Sequence, residues 1–308
     1  MFVCVCGLAI PANAQRAPST PAPESKTLKT KDGVSLSVTY FASTAGRDAA
    51  PVILVHDLKG SGRDFTRLAR RLQQPQEGDT HESFAVVTLD LRGHGDSRKQ
   101  AYRGRERELD AARLSVEDMR AMVLGDMEAV RKFLVTENDA GKLNLNRVSL
   151  VGTGLGALVA TNFAANDWAA PKLASVKQGQ DVKAIVMISP EWKVNGLEMT
   201  RALRQPGVQR EVAVMMHYGQ EDRDAKRNAS RIYSQLDRYH SDATESEAGT
   251  FLRDNSTMPS LASLGYKTKL QGGQLLKQAG PRVDAMIADF LTQQAAAGAF
   301  PYSVRRPD

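Results

Sequence analysis

The sequence contains almost no cysteine. Its two cysteines, Cys4 and Cys6, both precede residue 7, and none follows in the rest of the 308-residue chain. Neither follows a Leu-Ala-Gly pattern of the kind that precedes a lipid-modified cysteine. A chain that loses this segment has no disulfide and no thiol chemistry.

Long apolar runs and a segregated charge are also missing. After the N-terminal segment no apolar run approaches the roughly 20 residues of a membrane span, so no span is expected. The 41 Lys and Arg residues outnumber 35 Asp and Glu, but the two kinds are interleaved, as in residues 98–113. No nucleic-acid-binding motif accompanies the charge, which therefore indicates a solvated surface and no nucleic-acid partner.

The N-terminal segment has the features of a signal peptide. Residues 1–14, MFVCVCGLAIPANA, place an apolar run before Ala12-Asn13-Ala14, a small-residue cleavage pattern. This predicts export, to the periplasm or the cell exterior. No Lys or Arg precedes the run, so a start codon placed too far downstream and a buried N-terminal segment stay open. Residues 15–26 are rich in Pro, Ala and Ser and predict a linker, with order beginning near Thr27.

Beyond the linker, strand-length apolar runs alternate with helix-length periodic segments. SLSVTYFAS (35–43) alternates polar with apolar residues, as a half-exposed antiparallel strand does. Five runs predict strands that are covered on both faces: PVILVH (51–56), FAVVTLD (84–90), RVSLVG (147–152), VKAIVMIS (182–189) and EVAVMMHYG (211–219). The pattern predicts one α/β domain over 27–295, with a doubly wound, mostly parallel sheet, and a C-terminal tail over 296–308.

Two of the periodic segments predict amphipathic helices, residues 116–135 and 282–291. Each places its apolar side chains on one stripe: Met119, Val123, Met127, Val130 and Leu134 in the first, and Val283, Met286, Ile287 and Phe290 in the second.

Four motifs occur in the order typical of the α/β-hydrolase family, which the chain resembles from about Thr27 to Leu291. They are VILVHDLKGSGRDF, VVTLDLRGHGDS, RVSLVGTGLGA and VMMHYGQEDRD. The resemblance implies the fold of that family, closest to dienelactone hydrolases or small esterases, because residues 190–209 are too few for a helical lid domain. It also implies acyl transfer by a Ser-His-Asp triad, with backbone N–H groups that stabilise the oxyanion.

The nucleophile and the base of that triad are missing. In the turn that matches G-x-S-x-G, Gly154 stands at the nucleophile's position. The resemblance places the base at Gln271, and no histidine occurs after His240. We therefore expect a degenerate triad.

The acid position is filled. Asp222, three residues after Gly219, matches the triad acid by resemblance, with Glu221 and Asp224 as its nearest rivals. A surface turn aspartate is the other interpretation of Asp222.

The oxyanion-binding part is partly retained. The resemblance assigns its N–H donors to Leu58 and Leu155, while Asp57 stands where the family prefers glycine and is expected to weaken anion binding. His56, like His94, is expected to be a hydrogen-bonded structural residue. These groups, with Glu191, are expected to gather at the carboxyl edge of the sheet.

We expect an exported α/β-hydrolase-fold protein without a working triad that binds a small molecule or a protein partner. An ester hydrolase with a nonstandard nucleophile or base, and a structural interaction protein, are the alternatives. A histidine within reach of Ser, Thr or Asp at the carboxyl edge would favour the enzyme. No metal or cofactor is expected, because His56, Asp57, Asp90 and His94 lack a helical metal-ligand spacing.

Overall fold

The computed structural model describes residues 20–305, apart from residues 78, 80, 103, 173–176, 255–256 and 297. The predicted signal peptide, the first part of the linker and the last three residues of the tail lie outside the described residues.

A nine-stranded sheet forms the centre of the described chain. In chain order the strands are β1 (Glu24–Lys29), β2 (Ser35–Phe41), β3 (Pro51–Val55), β4 (Ala85–Leu89), β5 (Lys99–Tyr102), β6 (Arg105–Glu108), β7 (Val148–Thr153), β8 (Val182–Ile188), β9 (Lys193–Val194), β10 (Leu197–Glu198), β11 (Ala213–Gly219), β12 (Thr244–Glu247) and β13 (Leu261–Tyr266). The order in the sheet is β1-β2-β4-β3-β7-β8-β11-β13-β12, and β5-β6 and β9-β10 form two small hairpins.

The sheet is parallel from β4 to β12 and antiparallel at the edge formed by β1 and β2. The five predicted covered strands are the adjacent strands β4, β3, β7, β8 and β11, and all their residues are buried. In β2, buried and half-buried residues alternate along most of the strand. The predicted fold class is confirmed.

Helices cover both faces of the sheet. They are α1 (Thr66–Gln73), α2 (Val116–Ala121), α3 (Met127–Asp139), α4 (Leu155–Ala169), α5 (Thr200–Leu203), α6 (Pro206–Arg210), α7 (Arg223–Leu236), α8 (Ala248–Asp254) and α9 (Gly272–Leu291). One core lies under α2 to α7, and the other lies under α1, α8 and α9. Both predicted apolar stripes are buried in these cores.

Three details differ from the sequence expectation. β1 begins at Glu24, inside the segment expected as linker, because every residue of 24–29 pairs with a residue of β2. The helix predicted over 116–135 contains a π-helical segment, Met122–Asp126, between α2 and α3. The helix predicted over 282–291 is the second part of α9, which begins at Gly272 and is kinked at Gly280, whose φ is 62°.

The segment expected as a C-terminal tail is attached to the domain. The Asn144 amide donates to the Phe300 carbonyl at 2.8 Å, and the Tyr302 hydroxyl donates to the Asn138 carbonyl at 2.7 Å. The buried Arg305 guanidinium donates to Asp181 at 2.6 Å. These bonds fix residues 300–305 near the amino end of β7.

Candidate functional site

The turn of residues 152–156, called the elbow here, retains the sharp geometry of a nucleophile turn. β7 ends at Thr153, α4 begins at Leu155, and Gly154 between them has φ 49° and ψ −114°. A side chain at Gly156 would collide with the Val55 carbonyl, so glycine lets α4 approach β3 closely. The sequence prediction of a strand, a turn and a helix is confirmed.

The carboxylate of Asp57 lies directly over Gly154. A Cβ atom built on Gly154 would collide with Cγ and both carboxylate oxygens of Asp57. On the other side of the cleft, a Cβ atom on Gly272 would lie 3.4 Å from Asp57 Oδ2. Asp57 therefore fills the space into which a nucleophile's side chain would project from the elbow.

The same carboxylate occupies the predicted anion hole, which is the pair of N–H groups of Leu58 and Leu155. Asp57 Oδ1 accepts from Leu58 at 2.7 Å and from Leu155 at 2.8 Å. Burial raises the pKa of Asp57 although these two donors lower it. The sequence suggested that Asp57 would weaken the hole; in the structure it uses both donors.

Gln271, at the position predicted for the base, links the end of β11 to the start of α9 by hydrogen bonds. Its Nε2 donates to the Gly219 carbonyl at 3.1 Å, and its Oε1 accepts from the Gly219 N–H at 3.4 Å. The Gly272 N–H donates to Ser189 Oγ at 2.8 Å. A carboxamide does not ionise, so Gln271 cannot take a proton as a histidine would.

Asp222, at the acid position, caps α7. Its Oδ1 accepts from the N–H groups of Asp224 at 3.0 Å and Ala225 at 2.9 Å. This is the usual bond of an N-cap aspartate, which satisfies N–H groups of the first helical turn. Among the described residues, no hydrogen bond joins Asp222 to Gln271. The residues at the predicted acid and base positions are therefore not linked to each other by a hydrogen bond.

The cleft is acidic. Glu191 is exposed, yet partial burial and then the charges of Asp57, Asp224 and Asp222 raise its pKa. These carboxylates are therefore close enough to interact, and Asp57 lies against Gly154. The structure brings the predicted edge residues together, but it turns Asp57 inward and Asp222 toward its own helix.

His56 holds the loop that carries Asp57. Its Nδ1 lies 2.7 Å from the Asp57 carbonyl oxygen, and its Nε2 accepts from the Leu91 N–H at 2.9 Å. Burial lowers the pKa of His56 to about 4, so the ring is neutral at pH 7. The His94 ring lies 5.0 Å away, with Nδ1 3.0 Å from the Arg92 carbonyl oxygen.

The other histidines do not supply a base at the cleft. Buried His217 has its Nδ1 2.9 Å from the Tyr266 hydroxyl. His240 Nδ1 lies 2.9 Å from Ser260 Oγ, but Ser260 precedes β13 and is therefore at the amino edge. At the carboxyl edge of the described sheet, no histidine is hydrogen-bonded to a Ser, Thr or Asp side chain.

Sequence reasoning missed Ser189. It follows Ile188, whose carbonyl accepts from the Gly154 N–H at 3.0 Å, so it lies beside the elbow. Its φ of 50° is rare for a residue with a side chain, and such strain often occurs at functional sites. Nothing in the sequence signals this conformation, because serine at a strand end is ordinary.

Arg92 fixes the turn after β4. Its buried guanidinium donates to Asp126 at 2.7 Å and to Asp32 at 2.7 Å. Burial raises the pKa of Asp126 to about 6, against the lowering effect of Arg92. This network gives the arginine of the LRGHGDS motif a structural role.

Two other kinds of site are absent from the residues that the structure covers. No three His, Cys, Asp or Glu side chains there are placed to hold a metal ion together. No helix there combines the length and apolarity that crossing a bilayer requires.

Comparison with known proteins identifies the family. Residues 52–303 match the model of the Alpha/beta hydrolase family, and the chain belongs to it. An esterase of Pyrococcus furiosus superposes with a TM-score of 0.58, at 14% identity over 89% of this chain and 91% of that chain. Dienelactone hydrolase from Anabaena variabilis superposes with a TM-score of 0.50, at 14% identity over 89% and 99%. At such identities the likeness shows the fold; no curated protein matches the sequence.

Proposed function

We propose that this chain is an exported, non-catalytic member of the α/β-hydrolase family that acts by binding a small molecule or a protein partner. The observation that carries this proposal is the position of Asp57. Acyl transfer needs a nucleophile at the elbow and an open anion hole. Gly154 provides no nucleophile, and Asp57 fills the hole.

The energetics support a persistent blockade. Hydrogen bonds to a charged group are worth about 1.5–3 kcal/mol each, and Asp57 accepts two. A neutral ester carbonyl would have to displace a carboxylate that is already attached to the same loop. His56 holds that loop through the Asp57 carbonyl. Substrate binding in the hole is therefore unfavourable from the start.

The direct test is the hydrolysis of p-nitrophenyl acetate and butyrate by the purified protein. We expect the rate of the folded protein to equal that of a heat-unfolded sample at the same concentration. A higher rate that a single Ser, Thr or Asp substitution abolishes would overturn the proposal and identify the nucleophile.

A second candidate function is ester hydrolysis with a nonstandard nucleophile, and Ser189 is the observation that favours it. Its hydroxyl lies beside the elbow on a strained backbone, and the similar structures include an esterase and a dienelactone hydrolase. No imidazole bonds to the Ser189 side chain within the described residues, so the hydroxyl would remain a weak nucleophile. Ser189→Ala separates the two candidates, because only the second predicts lost hydrolysis.

Export rests on the sequence of residues 1–14. Cleavage after Ala14 gives Gln15 as the mature N-terminus. N-terminal sequencing of protein from the periplasm or medium should find Gln15 or a residue nearby. An intact Met1 on cytoplasmic protein would refute export and leave the proposal about the cleft unaffected.

A further inference from the structure

A second cavity lies along the outer side of α4, away from the elbow. It has a volume of about 450 Å³, is open to solvent and is lined by α2, the π-helical segment, α4 and the region of α5. The first α4 residue that lines it is Asn162, which is about 12 Å along the helix from Gly154. Its size suits a small ligand, because typical ligand sites measure about 300–1,000 Å³.

Positive charge is concentrated at this cavity. Arg120, Arg201 and Arg204 line it and are exposed, and none of the lining residues is acidic. Within the described part of the chain, none of these three guanidinium groups forms an ion pair. Some other exposed arginines do have acidic partners, such as Arg227 with Asp224 at 2.7 Å. Three unpaired guanidinium groups around one cavity are suited to an anionic group.

The rest of the lining is mostly apolar, with Asn162, Asn166 and Gln205 as its polar residues. Buried Val123, Leu197 and Ala202 contribute to the wall, and Leu124 is 66% exposed. Leu124 and Val123 also line an adjoining cavity of about 270 Å³, whose charged lining residues are Arg131, paired with Glu128, and the buried Asp167. The two cavities share Val123, Leu124 and Asn166 and together form a groove that is cationic at the end of the three arginines and has Leu124 as the exposed apolar side chain of its middle.

The exposed Leu124 lies within the π-helical segment. A π turn carries an extra residue, and such turns are frequent at functional sites. At its end Asp126 is fully buried against Arg92, while Leu124 in the same turn faces outward. The Asp126 side chain that binds Arg92 and the exposed Leu124 side chain thus lie in the same turn.

We infer that this groove binds a small amphiphile whose anionic head lies among Arg120, Arg201 and Arg204 and whose apolar body lies along Val123 and Leu124. The inference rests on the proposed function only in that the chain acts by binding. It assigns that binding to the groove beside α4 and not to the acidic cleft at Asp57.

Decanoate, below its micelle concentration, is the probe, and isothermal titration calorimetry is the measurement. We expect saturable binding of one decanoate, and at least tenfold weaker binding of decan-1-ol, which lacks the charge. Arg204→Glu should weaken decanoate binding at least tenfold. The matched control is Arg98→Glu, an equal charge change at an exposed residue outside the groove, and it should leave the affinity unchanged.

A steric variant keeps the test independent of charge. Ala165 lines the groove on α4, and Ala165→Trp should abolish binding while circular dichroism shows a folded protein. Equal affinity for decanoate and decan-1-ol, unchanged affinity in both groove variants, or no saturable binding would each overturn the inference. Ester hydrolysis measured on the same samples reports separately on the proposed function, because activity at the elbow would refute that function and not the groove.

Discussion

The carboxylate of Asp57 accepts a hydrogen bond of 2.8 Å from the backbone N–H of Leu155. This bond lies across the turn where an active α/β hydrolase presents its nucleophile. The two residues are far apart in sequence, and the contact exists because β3 and β7 are neighbours in the sheet. One side chain thereby removes both the space for a nucleophile and the free donors for an oxyanion. The glycine at position 154 and the occupied N–H groups of Leu58 and Leu155 are thus a single structural feature.

Gly154→Ser should destabilise the protein, because the new Cβ would collide with the Asp57 carboxylate. Gly46→Ser is the matched control, since Gly46 has a φ of 59° and open space around it. We expect Gly154→Ser to lower the free energy of unfolding by about 1–3 kcal/mol more than the control does. Equal losses in chemical denaturation would show that Asp57 does not occupy that space.

Asp57→Ala should open the anion hole to an external anion. Acetate titrated into this variant should give saturable NMR shifts of the Leu58 and Leu155 amides, because both lose their internal acceptor. Wild type should give none. Asp57→Asn is the control, since its carboxamide oxygen can still accept from both amides. Equal shifts in the wild type would mean that the hole is already accessible.

Rebuilding acyl transfer should require more than the nucleophile. In Asp57→Gly/Gly154→Ser the serine lacks a base and should stay unreactive. Adding Gln271→His should give detectable acylation by p-nitrophenyl acetate, seen as an acetyl adduct by intact mass spectrometry. The rate should stay low, because Asp222 is engaged as the cap of α7. Equal acylation without the histidine would refute this assignment of the base position.

Acidification should destabilise the fold through His56. Burial lowers its pKa from 6.5 to about 4. Between these two pH values His56 is therefore protonated in the unfolded chain and neutral in the folded protein. This stabilisation is lost as the pH falls from 6.5 to about 4, and amounts to about 3 kcal/mol in full. Asp126, whose pKa is raised to about 6, acts in the opposite direction over part of that range.

The difference between wild type and His56→Gln isolates the histidine. The variant should lose less free energy of unfolding than wild type between pH 6.5 and 4, because only wild type carries the His56 ring. Identical pH profiles would show that the pKa of this ring is the same in the folded and unfolded protein, so that the fold does not hold the ring neutral.

Much of the fold was predictable because parallel strands covered on both faces leave unbroken apolar runs, as in β3 and β7. The glycines around Gly154 likewise marked the turn. The edge strand β1 was missed because its sequence is no different from that of a linker, and only its pairing with β2 makes it a strand. The π-helical segment was missed because the spacing of the buried residues fits an uninterrupted helix.

At the site, the sequence showed what is absent, namely a side chain at Gly154 and a histidine at Gln271. It did not show where the Asp57 side chain turns, because that depends on two N–H groups, one from the loop after β3 and one from the start of α4, meeting at one point. Nor did it show that Asp222 caps α7, since an aspartate before a helix fits both a triad acid and a cap.

The most direct test of the account is the reaction of wild-type protein with a fluorophosphonate, followed by intact mass spectrometry. A structure with no nucleophile at the elbow and a filled anion hole predicts an unmodified mass after prolonged exposure, while an active serine esterase in the same tube is fully labelled. A stoichiometric adduct on the wild type, lost on substitution of a single Ser or Thr such as Ser189, would contradict it.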